Sequence, residues 1–285
     1  MNSQPTSIIH KGVSVELPFI VDQATSVSLY SLLDYESASS LCDGENFTPI
    51  IIKTASGEKK AAGVVSALDY KKTSLVPYLE WSMGIFVVPT GGNIPEIKFT
   101  NETTLFFQSI LNDVTVGNYV FCPKLVLNEP LPTEVGVEYY GYPKELGDIA
   151  YNYDQNVSHF IVSPKNDQWI MKASVPTKRG ILCKFGLLWA MVKAYGLSTS
   201  IKAMTQKYFT VTLLGSAKIL AKKAYMKVQN DPQTQMFPWT NNDCKIEINP
   251  ASKWGEIIMA LNIQPQLVCH VPNLKFEFSE PFDQK

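Results

Sequence analysis

Runs of β-branched and aromatic residues, each closed off by Gly, Pro, Asn or Asp, recur through the first third of the chain: Val27 to Leu33, Pro49 to Lys53, Gly63 to Tyr70 and Leu75 to Pro89. Such side chains suit a pleated, half-buried surface, so these segments are predicted strands. Leu33 to Leu41 and Thr103 to Leu111 have the composition of short helices, the latter with Thr103 as a cap. Pro132, Thr133 and Glu134 can open another, since proline is tolerated in a first helical turn and an acidic residue favours it. Beyond it, Ala150 to Tyr153, His159 to Ser163 and Trp169 to Ser174 alternate like strands, with Asp154-Gln155-Asn156 and Pro164-Lys165-Asn166-Asp167 as turns. That is the pattern of an antiparallel meander.

From Gly180 to Gly196 apolar residues dominate, but Lys184 and Lys193 interrupt them, and the run is shorter than the roughly 20 residues of a membrane span. It reads as an amphipathic helix, followed by a more basic helical stretch from Ser198 to Gln206. Lys218, Lys222, Lys223 and Lys227 fit either a charged helical face or a strand from Lys218 to Val228. Strands in series with helices grouped apart, rather than alternating βαβ units, predict an α+β fold centred on antiparallel strands. No repeat, low-complexity tract or linker divides the chain. One domain over residues 1–285, with a helical insertion at about 178–208, is expected.

Twenty-five basic residues against 26 acidic ones leave a formal net charge of −1, so there is no field to recruit nucleic acid or an anionic membrane. Arg179 is the single arginine, and guanidinium clamps for carboxylates or phosphates are therefore almost absent. Cys42, Cys122, Cys183, Cys244 and Cys269 are scattered, without C-x-x-C or zinc-type spacing, and are expected to be reduced, buried thiols. His10, His159 and His270 form no metal-binding pattern, so no metal is predicted. Met1 to Leu17 lacks a basic start followed by an apolar run, so a cytoplasmic protein is expected and the sequons at Asn46, Asn101 and Asn156 are read as accidental.

The chemistry concentrates near the middle. Asn128-Glu129-Pro130 is followed by Gly136, Glu138 and then Tyr142-Pro143-Lys144. Pro143 fixes its own φ and pushes Tyr142 toward extended geometry, so Lys144 should leave the turn in a defined direction. A solvated lysine has a pKa of about 10.4, leaving roughly one in 2,500 as the free amine at pH 7. Apolar surroundings such as Tyr139, Tyr140 and Tyr142 disfavour an ammonium and raise that fraction, which is how a lysine becomes a nucleophile.

In order and spacing, Asn128-Glu129-Pro130, Gly136, Glu138 and Tyr142-Pro143-Lys144 resemble the signature of the acetoacetate decarboxylase-like family. Tyr78-Leu79-Glu80-Trp81-Ser82 is similar to that family's strand bearing an active-site glutamate, and the resemblance is strongest over about residues 60 to 176. It implies a cone-like β-barrel with the lysine inside, an imine between Lys144 and a small-molecule carbonyl substrate, no cofactor, and a homo-oligomer. In that family the nucleophilic lysine is activated by a lowered pKa.

Glu80 is the one charged residue between Leu75 and Pro89, so it needs a partner if buried; the resemblance makes it an acid/base group beside Lys144. Tyr142, Trp81 and Met83 are expected to line the pocket wall and exclude water. Glu138 is expected to hydrogen-bond the turn. Glu145, expected with Tyr142, Trp81 and Met83 to contact the substrate, stands where true decarboxylases carry a second lysine, and a carboxylate there would stabilise the ammonium unless it points away. Those enzymes also carry an arginine before the glutamate strand, and none is present here before Arg179. The expected function is an imine-forming lyase working by decarboxylation, aldol or dehydration chemistry, and the alternative is a non-catalytic binder of an apolar small molecule in the same pocket.

Overall fold

The computed structural model describes residues 6–91, 96–98, 119–154, 157–177, 207–229 and 231–284. It opens on a hairpin of β1 (Thr6–His10) and β2 (Val13–Leu17), whose turn residues Lys11 and Gly12 both have positive φ, 47° and 84°. Two positive φ values match the right-handed twist of the strands they join. The chain continues through β3 (Phe19–Asp34), α1 (Tyr35–Leu41), β4 (Phe47–Pro49), β5 (Ile51–Lys53), β6 (Lys59–Thr73), β7 (Tyr78–Pro89), β8 (Glu96–Lys98) and β9 (Tyr119–Leu127). Then come α2 (Pro130–Tyr140), β10 (Lys144–Tyr153), β11 (Val157–Pro164), β12 (Met171–Pro176), β13 (Tyr208–Leu214) and β14 (Lys222–Gln229). The last elements are β15 (Gln235–Pro238), β16 (Lys245–Ile248), α3 (Lys253–Ala260), β17 (Gln264–Phe278) and β18 (Phe282–Asp283).

Seven strands close a ring in the order β3, β6, β7, β9, β13, β14, β17 and back to β3. Closure pairs both sides of every strand in the ring and removes its free edges. All pairings are antiparallel except β9 with β13, so the barrel is mixed rather than purely antiparallel. The outer side of β9 is shared: Tyr119–Phe121 pair with β13, and Leu125–Leu127 pair in parallel with Lys144–Leu146 of β10. From there β10, β11, β12 and β16 form an antiparallel outer sheet, containing the expected meander.

Period-two alternation along β7 separates the two sides of the barrel wall. Trp81, Met83 and Ile85 pack outward in one cluster with Phe160, Val162 and Met171 of the outer sheet and Ile258 of α3. Phe86 and Val88 belong instead to the interior, with Leu32, Ala62, Val120 and Leu267.

The basic stretch around Lys218 resolves as strand β14, because Lys222–Gln229 are hydrogen-bonded into the ring. The helix expected over Thr103 to Leu111, and residues 178–206 of the expected insertion with its two helices, lie outside the described residues. Among the described residues three short helices occur, and none is long and apolar enough to cross a membrane.

Candidate active site

Helix α2 delivers the lysine. It starts with Pro130 after the extended Glu129 and ends on Gly141, whose φ of 67° lies in the left-handed region. A Cβ at Gly141 would stand 2.1 Å from the Leu220 carbonyl oxygen, so glycine is needed there both for conformation and for close approach. The Gly141 N–H donates to Val137 O and the Tyr142 N–H to Gly136 O, and the Lys144 N–H donates back to Tyr142 O across Pro143. These bonds fix the Tyr142-Pro143-Lys144 turn against the helix end, with the lysine as the first residue of β10.

Inside the barrel, Lys144 Nζ donates to Glu80 Oε2 at 3.1 Å, and the two side chains are only 10% and 9% exposed. The Asn128 side chain accepts from the Leu79 N–H at 2.7 Å, and the Asn128 N–H donates to Leu79 O. The start of the Asn-Glu-Pro segment thus clamps the residue beside Glu80 and ties the two halves of the site together. On the second Glu80 oxygen, the Tyr70 hydroxyl donates at 3.3 Å, and the Tyr70 ring stacks on Tyr78 with centroids 4.1 Å apart. Burial, with the nearby Glu80 charge, pushes both phenols well above their ordinary range. Both hydroxyls therefore stay protonated.

A cavity of about 60 Å³ opens at this pair. Around the pair its wall is Tyr70, Tyr78, Cys122, Gly136, Tyr140 and Tyr142, and the hairpin end adds Val15, Leu17 and Phe19. Burial, reinforced by Glu80 and opposed by Lys144, pushes the Cys122 thiol up to about 12, which leaves it un-ionised. Cys122 and Leu125 line one wall despite their odd spacing, because the ladder slips between Met83/Lys124 and Ile85/Phe121, leaving Cys122 and Pro123 opposite Gly84. This is a β-bulge, and Pro123, without an N–H, suits it.

Tyr142 lines the cavity, and among the described residues its buried hydroxyl has no hydrogen-bond partner. Trp81 and Met83 do not line it. Both flank Glu80 at odd offsets on β7, so the alternation that turns Glu80 inward turns them into the outer core, where they are fully buried. Glu145 likewise points away: it follows Lys144 on β10, so it emerges on the opposite face and ion-pairs with Lys124. Burial lowers the pKa of Lys124, and the Glu145 carboxylate opposes that shift. Glu138 serves neither the turn nor the cavity. With Glu134 it holds the buried His10, at 3.3 Å from Nδ1 and 2.8 Å from Nε2 respectively, and so pins the N-terminal hairpin to α2.

Sequence reasoning missed Tyr70, Tyr78, Cys122 and the hairpin residues Val15 and Leu17. The first two had a usable signal: pairing β6 with β7 through a short turn sets Tyr70 opposite Tyr78 and places both on the Glu80 face. The hairpin had none, because its contribution depends on where α2 lies.

No protein-family model matches the chain, and no curated protein matches it in sequence. Solved structures do match. Acetoacetate decarboxylase from Legionella pneumophila superposes with a TM-score of 0.57 at 10% identity, over 94% of this chain and 87% of that one. A second acetoacetate decarboxylase structure gives 0.52 at 12% identity, over 93% and 87%. The enduracididine biosynthesis enzyme MppR, complexed with pyruvate, gives 0.51 at 11% identity, over 93% and 88%.

The fold is that of acetoacetate decarboxylase. At such identities the likeness establishes architecture alone.

Proposed function

We propose that this protein is an imine-forming lyase acting on a small carbonyl compound. The observation that carries the reading is the Lys144–Glu80 pair, 3.1 Å apart, nearly buried and at the wall of an apolar cavity. The lysine stem packs in the groove over Gly136 while its nitrogen reaches the cavity, and apolar surroundings favour the free amine that attacks a carbonyl. Lys144 Nζ adds to the carbonyl carbon, the oxygen leaves as water, and the resulting iminium draws electrons from the adjacent carbon. Glu80, on the same nitrogen, is placed to take and return the proton, while Tyr70 holds its other oxygen. Carbon–carbon cleavage, condensation, dehydration and decarboxylation all pass through such an iminium. Two facts about fold neighbours support the reading: two are acetoacetate decarboxylases, and MppR has been captured with the condensation product of pyruvate and imidazole 4-carboxaldehyde.

One observation favours a second reading, a non-catalytic binder. Glu80 stabilises the ammonium of Lys144, and an ammonium has no lone pair with which to attack. The readings separate by borohydride reduction in the presence of small ketones, aldehydes and keto acids, followed by peptide mass spectrometry. An imine former gains an irreversible adduct on Lys144 that is absent in Lys144→Ala. A protein that gains none with any carbonyl compound is a binder.

A further inference from the structure

We infer that the substrate is an uncharged aldehyde or ketone rather than a keto acid; the inference rests on the imine-forming reading above. Among the described residues, the charged groups lining the cavity are Lys144 and Glu80, and they are already paired with each other. The remaining wall is uncharged: it is aromatic and aliphatic apart from the Cys122 thiol and the tyrosine hydroxyls, with Phe19, Leu75, Leu125, Val135 and Phe278 among its members. The helix start that reaches the cavity presents Pro132, which has no N–H to offer an anion.

Charge conservation gives the argument its direction. The Lys144 ammonium first passes a proton to Glu80, and the freed amine then adds to a neutral carbonyl compound. Nitrogen forms a double bond to carbon, and the oxygen leaves as water with two protons that came from nitrogen, so one iminium and one water replace one ammonium and one carbonyl group and the single positive charge persists. Glu80, having returned the proton it takes during the addition, carries its counter-charge again at the end, and the cavity is neutral overall before and after the step. A keto acid adds a carboxylate with no cation left to receive it, beside a glutamate of the same sign. A buried, unpaired charge of that kind is costly, and like charges in contact add repulsion. Decarboxylation needs such a carboxylate, so the reaction expected of this site is aldol-type cleavage or condensation, or dehydration.

Near-isosteric pairs test the inference: 2,3-butanedione against pyruvate, and acetylacetone against acetoacetate. The readout is the rate of adduct formation on Lys144, each pair normalised to its reaction with a lysine peptide free in solution. The neutral member of each pair is expected to react at least about tenfold faster relative to that standard. In Glu80→Gln, which removes the repelling charge, the ratio should move toward the keto acid by about threefold or more. Arg179 lies outside the described residues, and Arg179→Ala should leave the ratio unchanged. Keto acids that react on Lys144 as fast as their neutral partners, a ratio indifferent to Glu80→Gln, or a ratio altered by Arg179→Ala would overturn the inference while leaving imine formation standing. No adduct on Lys144 from any of the four compounds would overturn imine formation, and the inference with it.

Discussion

Gly136 lies so close to the Lys144 side chain that a Cβ at position 136 would stand 2.4 Å from Lys144 Cδ and 2.6 Å from Cε. The helix therefore offers the lysine a groove that exists only because residue 136 has no side chain. In Gly136→Ala the lysine must swing away from its present line, since it is the flexible partner. Alanine is the better helix former by about 1 kcal/mol, so the melting temperature should change little. Adduct formation on Lys144 should fall by roughly tenfold to a hundredfold, because displacing a reacting group by about an ångström costs that much. Equal trapping in wild type and variant would show that the groove does not direct the amine.

Removing the amine does more than remove a nucleophile. Lys144→Met leaves the Glu80 carboxylate buried with, among the described residues, only the Tyr70 hydroxyl as partner. Urea unfolding at pH 7 should register a loss of about 3 kcal/mol. Adding Glu80→Gln to that variant should recover most of it, since the stranded charge is gone. A double variant as unstable as Lys144→Met would mean that the pair's charges do not determine the loss.

The ion pair of buried Lys124 with the half-exposed Glu145 predicts a pH dependence. Burial lowers the pKa of Lys124, and Glu145 is the carboxylate that stabilises its ammonium. Glu145→Gln should destabilise the fold at pH 7 and leave the Lys144 adduct rate within about twofold, because the two lysines stand on opposite faces of the wall. A lysine whose folded pKa is depressed is penalised while it must stay charged, below that folded value. The penalty is relieved as pH rises through the window between the folded value and the unfolded 10.5. The gap in unfolding free energy between wild type and Glu145→Gln should therefore narrow from pH 7 to pH 10. A constant gap would remove Lys124 as its cause.

At the N-terminus of α1, the Asp34 carboxylate accepts the Ser37 N–H at 2.9 Å, and this backbone bond, with the Ser37 hydroxyl, lowers its pKa below 3.8. Asp34→Ala should lose about 1 kcal/mol at neutral pH. A depressed carboxylate pKa contributes stability that is present above the unfolded value and lost as pH falls through the folded one. Wild type and Asp34→Ala should thus converge in acid titrations of stability as pH falls from 3.8 through the depressed folded value. A difference that persists undiminished there would assign the effect to packing instead of the cap.

Local chemistry is what the amino-acid sequence by itself determined. The β-branched runs specified β3, β6, β7 and the outer meander, since the period of two is a property of the strand itself. The turn before Lys144 and the isolation of Glu80 on an apolar strand were legible too, because proline geometry and the cost of a lone buried charge are local facts. Which side of the wall each residue faces was decided by tertiary structure. Trp81 and Met83 look as suitable for a pocket as Tyr78, and Glu145 as close to Lys144 as any neighbour can be. Only the ring of seven strands, with the outer sheet branching from β9, gives β7 one face toward the barrel interior and one toward a packed outer core. Strand alternation then sends Lys144 inward to Glu80, 64 positions away, and Glu145 outward to Lys124.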